Sequence, residues 1–143
     1  MGLSPSELDF EARGLSVDQI KSTLSPKYRC DEVGKAFGVL KIKQSPIEIA
    51  LPRTEVKSGT GHKGFTIHPD PNLPYEQAVQ RRDFTINAVG LDLLEGTLLD
   101  PLNGKTDIQK RILCHIGPAF KEDPLRVLRG MQFIARFQLK PTT

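Results

Sequence analysis

Three groups of side chains in this chain could do chemistry. Glu7 and Asp9 stand two apart in Glu7-Leu8-Asp9-Phe10-Glu11, where acidic and apolar residues alternate with the period of a half-buried strand. On a strand such neighbours project from one face, so two carboxylates can share a divalent cation. Mg²⁺ held between such acids and a nucleoside triphosphate is the two-metal arrangement for in-line nucleotidyl transfer. Glu48, on a second strand, could supply a third ligand. The same acids also suit the solvated face of an edge strand, and an acid-x-acid spacing alone does not separate the two readings.

The second group is Arg81, Arg82, Asp83 and Asn87, a dense polar cluster interrupted by Phe84 and Ile86. Paired guanidinium groups give fork-shaped, charge-assisted bonds to phosphate oxygens, and Asp and Asn can read ribose hydroxyls. An ordinary salt-bridged surface turn has the same composition. The third group is Glu122, Asp123, Arg126 and Arg129, where positions 122, 126 and 129 share one side of a helix. An Asp and an Arg together present an acceptor and donors that can imitate the pairing edge of a base. They also read as a helix cap and an i,i+4 ion pair. Gly34-Lys35-Ala36-Phe37-Gly38 lacks the spacing of a phosphate-binding P-loop, and His62, His68 and His115 form no metal-ligand pattern. No Ser occupies a nucleophile elbow.

The elements that must position these groups are legible from pattern. After the strand containing Asp9, Ser16 caps a short amphipathic helix with Val17, Ile20 and Leu24 on its apolar face, ended by Ser25-Pro26. In the first strand Leu8 and Phe10 are expected inward and Glu7, Asp9 and Glu11 on the other face. Gly38 to Lys43 and Ile47 to Leu51 form a hairpin around Gln44-Ser45-Pro46, with Ile47, Ile49 and Leu51 on one face and Glu48 on the opposite one. Thr54 to Asn72 is rich in Gly, Ser, His and Lys and is expected as a mobile basic loop. Tyr75 to Val79 is helical, Val89 to Leu93 and Thr97 to Leu99 pair around Glu95-Gly96, and Thr106 to Leu113 is a short helix. Asp123 as N-cap and Pro124 at the first helical position open a longer helix reaching about Phe137.

The chain has 143 residues, 20 Lys and Arg against 17 Asp and Glu, a net charge of +3, and 38% hydrophobic residues. A chain of this size builds a core without disulfides or a structural metal. No stretch approaches the ~20 apolar residues of a membrane span, and the start lacks a secretory leader, so a cytoplasmic protein is expected. Cys30 and Cys114 fit no redox or zinc pattern and are expected as small buried hydrophobes.

Taken in order, these segments resemble the class II tRNA nucleotidyltransferase and bacterial poly(A) polymerase family. Leu8-Asp9-Phe10-Glu11 with Gly14-Leu15 resembles its metal-binding strand, and Gly34 to Lys41 the segment that follows. Arg81-Arg82-Asp83-Phe84-Thr85-Ile86-Asn87-Ala88 is similar to its most diagnostic motif. Asp100-Pro101-Leu102-Asn103-Gly104 with Asp107 resembles the next landmark, and Glu122 to Phe137 the helix that begins the neck. The resemblance implies an α+β fold, a polymerase-β-like nucleotidyltransferase head with a small mixed or antiparallel sheet, in residues 1–116, and the start of a helical neck in residues 117–143.

It implies that CMP and AMP are added from CTP and ATP to the 3′ end of tRNA. Glu7 and Asp9 would be the catalytic metal ligands for Mg²⁺, with Glu48, by its strand position alone, a candidate third. Arg81, Arg82, Asp83 and Asn87 would contact the nucleotide, Asp123 and Arg126 its base, and Arg129 would stand beside them. Arg53, Lys57 and Lys63 would belong to a flexible, RNA-facing loop. A poly(A)- or A-adding polymerase of the same family, and a nucleotide- or RNA-binding remnant without activity, remain alternatives. Three departures accompany the resemblance. The family's upstream Gly-Gly and Arg-Asp do not precede Glu7, and the chain stops soon after the neck begins, so a head cut at both ends with a self-associating exposed edge is expected. Glu7 also replaces the first Asp of the family's metal pair, moving a carboxylate by about one C–C bond in a site whose Mg²⁺–O distances are ~2.0–2.1 Å.

Overall fold

The alternation of apolar and charged residues in the first half of the chain builds a mixed β-sheet. The structure is a computed structural model that describes residues 7–33, 38–59 and 65–142. Strand β1 (Leu8–Glu11) is followed by helix α1 (Val17–Leu24), β2 (Cys30–Val33), β3 (Val39–Ile42) and β4 (Ile47–Ala50). The strand order is β1-β4-β3-β2, with β1 parallel to β4 and the other neighbours antiparallel. A parallel pair requires a crossover, which α1, β2 and β3 together provide.

Helix α1 starts as its sequence predicts. The Ser16 hydroxyl accepts the Gln19 backbone N–H at 3.2 Å, and the Ser16 N–H donates to the Gln19 side chain at 2.8 Å. Its apolar side buries Ile20 against Leu40 and Leu51, with Val17, Leu24, Ala12 and Ile49 completing the cluster. Leu40 and Ile49 face each other across β3 and β4, and Phe10 is the next partner across β1. Side chains alternate along strands, so the row Lys41, Glu48, Asp9 lies on the face opposite α1.

Leu8 departs from the expected inward position. It begins an edge strand, lies outside the α1 cluster, and is 41% exposed. Strand β2 was not among the expected strands, and it carries Asp31 and Glu32. On an edge they find partners: Lys43 pairs with Asp31 at 3.1 Å and Lys21 with Glu32. Cys30 and Cys114 are half-buried rather than fully buried.

The segment expected as a loop from Thr54 to Asn72 contains a strand pair, β5 (Arg53–Lys57) with β6 (Phe65–Pro69). Thr54 and Val56, and Thr66 and Ile67, supply the β-branched residues, and the Gly- and Lys-rich composition between them masked that signal.

The described residues fall into two units: the residues up to Val56 with Ile67–Pro74, and the remainder. The second unit contains α2 (Tyr75–Ala78), 3₁₀ turns at Val79–Arg81 and Thr85–Asn87, and the short pair β7 (Gly90–Leu91) and β8 (Leu98–Leu99). It continues through α3 (Gly104–Lys110), β9 (Ile112–Leu113), a 3₁₀ turn at Pro118–Glu122, α4 (Leu125–Phe137) and β10 (Lys140–Pro141), which runs parallel to β9. Helix α3 spans 104–110 rather than the expected 106–113. The Asp100 carboxylate accepts the N–H groups of Gly104 at 2.6 Å and Lys105 at 3.0 Å, which starts the helix early. Arg111 takes a left-handed conformation, which ends it.

Two clusters form the core of this unit. Phe84, Leu113 and Leu139 are surrounded by Ile86, Phe120, Phe133, Ile134 and Phe137, while Val79, Ala88 and Ile116 pack with Tyr75 and Leu102. Phe84 meets Phe133 edge-on at 5.7 Å and Phe120 at 5.4 Å. Gly130 leaves room for this ring, since a Cβ there would stand 3.1 Å from its Cζ. By contrast Leu125, Val127, Leu128 and Met131 on α4 are exposed.

Leu40 is 1% exposed and Leu128 is 61% exposed. Leu40→Ala is therefore expected to lower stability by about 2–5 kcal/mol, and Leu128→Ala by less than ~0.5 kcal/mol. Urea denaturation followed by circular dichroism checks both values.

Candidate functional site

In the first unit, the Lys41–Glu48–Asp9 row carries the acidic chemistry. Lys41 and Glu48 are direct partners in the antiparallel β3–β4 register, and Asp9 is the register partner of Glu48 on parallel β1. Lys41 Nζ donates to Glu48 Oε1 at 2.7 Å. That bond, with the charge of Glu48 and a smaller contribution from Glu7, raises the Lys41 ammonium above its ordinary value of 10.5. Glu7 and Asp9 are both exposed, and Glu48 is half-buried.

Among the described residues, no three acidic, His or Cys side chains gather closely enough to form a metal cage. Mg²⁺ commonly uses one or two carboxylates together with waters and phosphates rather than an all-protein shell. The hard oxygen donors of Glu7 and Asp9 fit that mode, whereas Glu48 is already engaged by Lys41. The sequence reading had missed Lys41, although the hairpin register places it directly opposite Glu48.

Arg53 belongs to β5 and forms an ion pair with Glu55 at 2.9 Å, with both side chains mostly buried. Its strand position replaces the expected loop position. Lys57 ends the same strand, and Lys63 lies outside the described residues.

In the second unit the structure joins two clusters that are far apart in sequence. Asp83 is 7% exposed. Its Oδ1 accepts the Phe84 N–H at 2.9 Å and Asn87 Nδ2 at 2.8 Å, while Oδ2 accepts Arg129 Nε at 2.6 Å. Arg126, also buried, donates from Nη2 to the Arg81 carbonyl at 2.9 Å. The Arg129 guanidinium lies 5.5 Å from the centre of the Phe133 ring. Thus α4 is bonded to the 81–87 segment through Arg126 and Arg129, and Phe84 fills the apolar space beside them.

Asp123 stands one residue earlier than an N-cap. Helix α4 begins at Leu125, yet Asp123 Oδ1 still accepts the Leu125 N–H at 3.0 Å. Its Oδ2 has no hydrogen bond among the described residues. Arg82 is half-buried, and among the described residues no hydrogen bond or ion pair engages its guanidinium. The unit therefore offers a cation and a carboxylate oxygen on a framework fixed by Asp83, Arg126 and Arg129, a donor and acceptor set suited to an anionic ligand that carries a base.

Residues 1–114 match the family of the poly(A) polymerase head domain. The multifunctional CCA protein of Stenotrophomonas maltophilia (strain K279a) is 53% identical over 105 residues, which cover 73% of this chain and 26% of that protein. The chain thus spans about a quarter of the length of such curated relatives. Among solved structures, the Bacillus stearothermophilus CCA-adding enzyme in complex with CTP superposes with a TM-score of 0.74 at 25% identity, covering 99% of this chain and 33% of that one. A tRNA nucleotidyltransferase complexed with a primer tRNA and an incoming ATP analog also gives a TM-score of 0.74 at 25% identity, covering 99% and 39%.

Asp83→Ala strands the buried Phe84 N–H, whereas Arg129, with a side chain 53% exposed, can turn to water. The expected cost is therefore about 1–3 kcal/mol, set by the amide, and Asp83→Asn, which keeps an acceptor oxygen, should cost less. Thermal unfolding of both variants checks the order.

Proposed function

The chain belongs to the poly(A) polymerase head-domain family, and from that premise we propose that it serves as the nucleotide-binding head of an RNA nucleotidyltransferase that adds CMP and AMP to the 3′ end of tRNA. The observation that carries the reading is the 81–87 segment tied to α4. It leaves the Arg82 guanidinium unengaged by any described residue beside a buried, fully bonded Asp83. A triphosphate supplies the charge Arg82 lacks, and the framework around Asp83 holds Arg82 in place before the ligand arrives. Binding of CTP by one structural neighbour and of an ATP analog and primer tRNA by another supports the same reading.

In this reading Arg81 and Arg82 take the phosphates. Asn87 faces the sugar, with Asp83 fixing its amide, and Asp123 and Arg126 meet the base, with Arg129 holding Asp83. Residues 117–143 open the neck, and residues 1–116 form the head. Glu7 and Asp9 would hold Mg²⁺, which would supply charge neutralisation for phosphoryl transfer. The terminal 3′-hydroxyl of the RNA attacks the α-phosphate, a new phosphodiester forms, and pyrophosphate leaves. Positioning and electrostatics carry most of the rate. The work belongs to the cytoplasm.

A second reading, binding without transfer, is favoured by one specific feature. The carboxylate next to Asp9 across the sheet is neutralised by Lys41, so the acids available for metal reduce to Glu7 and Asp9.

The test is incorporation of labelled CTP and ATP into tRNA lacking its CCA end, with Mg²⁺, alongside nucleotide binding. CTP and ATP are expected to bind saturably, and Arg82→Ala should weaken binding about tenfold or more through loss of a charge-assisted contact. Incorporation abolished by Asp9→Ala supports transfer. Saturable binding with no incorporation supports the second reading, and absence of binding overturns both.

A further inference from the structure

Thr85 and Asp107 take no part in the site as described, yet they form a bond that the sequence gives no reason to expect. Thr85 is 6% exposed, and its Oγ1 donates to Asp107 Oδ2 at 2.6 Å. Its backbone N–H donates to the Cys114 carbonyl at 3.0 Å, and its carbonyl accepts the Ala88 N–H at 2.9 Å. Asp83 is bound to the same neighbouring segment, because its carbonyl accepts the Ile116 N–H at 3.0 Å. The two bonds flank an isolated bridge between Phe84 and His115. Residues 83–85 are therefore sewn to 114–116 through the backbone.

That seam leaves the turn after it to be fixed from the other side. Helix α3 does this with a single carboxylate, from Asp107 in its first turn, where the helix dipole favours negative charge. The fit is close: a Cβ at Gly104, the first residue of α3, would lie 2.1 Å from the Thr85 carbonyl oxygen, so no side chain could stand there. Asp100 in turn caps the N–H groups of Gly104 and Lys105 and sets where α3 begins. The chain of contacts runs from Asp100 to α3, from Asp107 to Thr85, and from Thr85 into the 3₁₀ turn that carries Asn87 to Asp83.

We infer that Asp107, acting through the Thr85 hydroxyl, is a positioning residue that orders the turn presenting Arg82, Asp83 and Asn87, and that it does so without touching the ligand. The inference rests on the reading of that turn as a nucleotide site. A short, buried bond from a hydroxyl to a carboxylate is among the stronger hydrogen bonds a protein makes, and it preorganises whatever its donor residue anchors.

The test uses the full chain with Thr85→Val, Thr85→Ser, Asp107→Ala and the Thr85→Val/Asp107→Ala double variant. Amide hydrogen exchange reads the turn directly, at Asn87 and Ala88, with Ile20 of α1 as the reference. Binding of CTP and ATP, measured well below each variant's melting temperature, reads the consequence. Thr85→Val and Asp107→Ala are each expected to speed exchange at Asn87 and Ala88 about tenfold and to weaken nucleotide binding by a similar factor. Ile20 should be unchanged, Thr85→Ser should retain the parent behaviour, and the double variant should be no worse than the more affected single variant. Unchanged exchange at Asn87 and Ala88 in Thr85→Val overturns the inference whatever the affinities do. A loss in Thr85→Ser equal to that in Thr85→Val, or effects that multiply in the double variant, overturns it as well. If the parent chain binds no nucleotide, the functional reading falls, and exchange alone still decides whether Asp107 orders the turn.

Discussion

The second unit depends on one buried carboxylate. Asp83 is almost entirely removed from water, and a buried ion of this kind persists only when its oxygens are fully bonded. Its partners come from its own neighbour Phe84, from Asn87 one turn later, and from Arg129 on α4. Satisfying it therefore fixes the turn and the helix against each other. Phe84 uses the same geometry, inserting between Phe120, Phe133 and the gap left by Gly130. Polar and apolar anchoring occur at adjacent residues, so small displacements of α4 would cost both.

The first unit follows a different constraint, the two-residue period of its strands. One face is assigned to α1 through Leu40, Ile49 and Leu51, which forces Lys41, Glu48 and Asp9 onto the other. Charges on that face arrange themselves by register: Lys41 sits opposite Glu48 and answers it, leaving Asp9 exposed at the sheet edge. The electrostatics of the acids are a consequence of the hairpin turn, because a shift of one residue would move every one of these charges into the core.

Legibility varied with how local the determining physics is. The Ser16 cap, the α1 apolar stripe and the hairpin at Gln44-Ser45-Pro46 depend on neighbours a few residues away, and the structure reproduces them. Helix α4 was likewise predictable, with its start displaced by one residue because Asp123 bonds the Leu125 N–H from an extended conformation. The strand pair at 53–69 was misread because Gly and Lys content outweighed the β-branched residues on either side. Strand β2 was missed because its acids are tolerated only where an edge places Lys21 and Lys43 near them. The early start of α3 required the Asp100 carboxylate, whose hydrogen-bonded reach across the loop has no periodic signature.

The sequence by itself determined helices α1 and α4, the β3–β4 hairpin, the family resemblance, and the identity of the polar residues, because residue type, spacing and periodicity are local properties of the chain. Only the tertiary structure decided which of those residues are available. It buried and fully bonded Asp83, turned Arg126 onto the Arg81 carbonyl, gave Glu48 to Lys41, and left the Arg82 guanidinium without a partner among the described residues. It also brought Asp107 to Thr85. The physical reason is desolvation: a polar group must find partners once packing removes water, and which partners it finds depends on residues dozens of positions away that only the folded chain brings within hydrogen-bond distance.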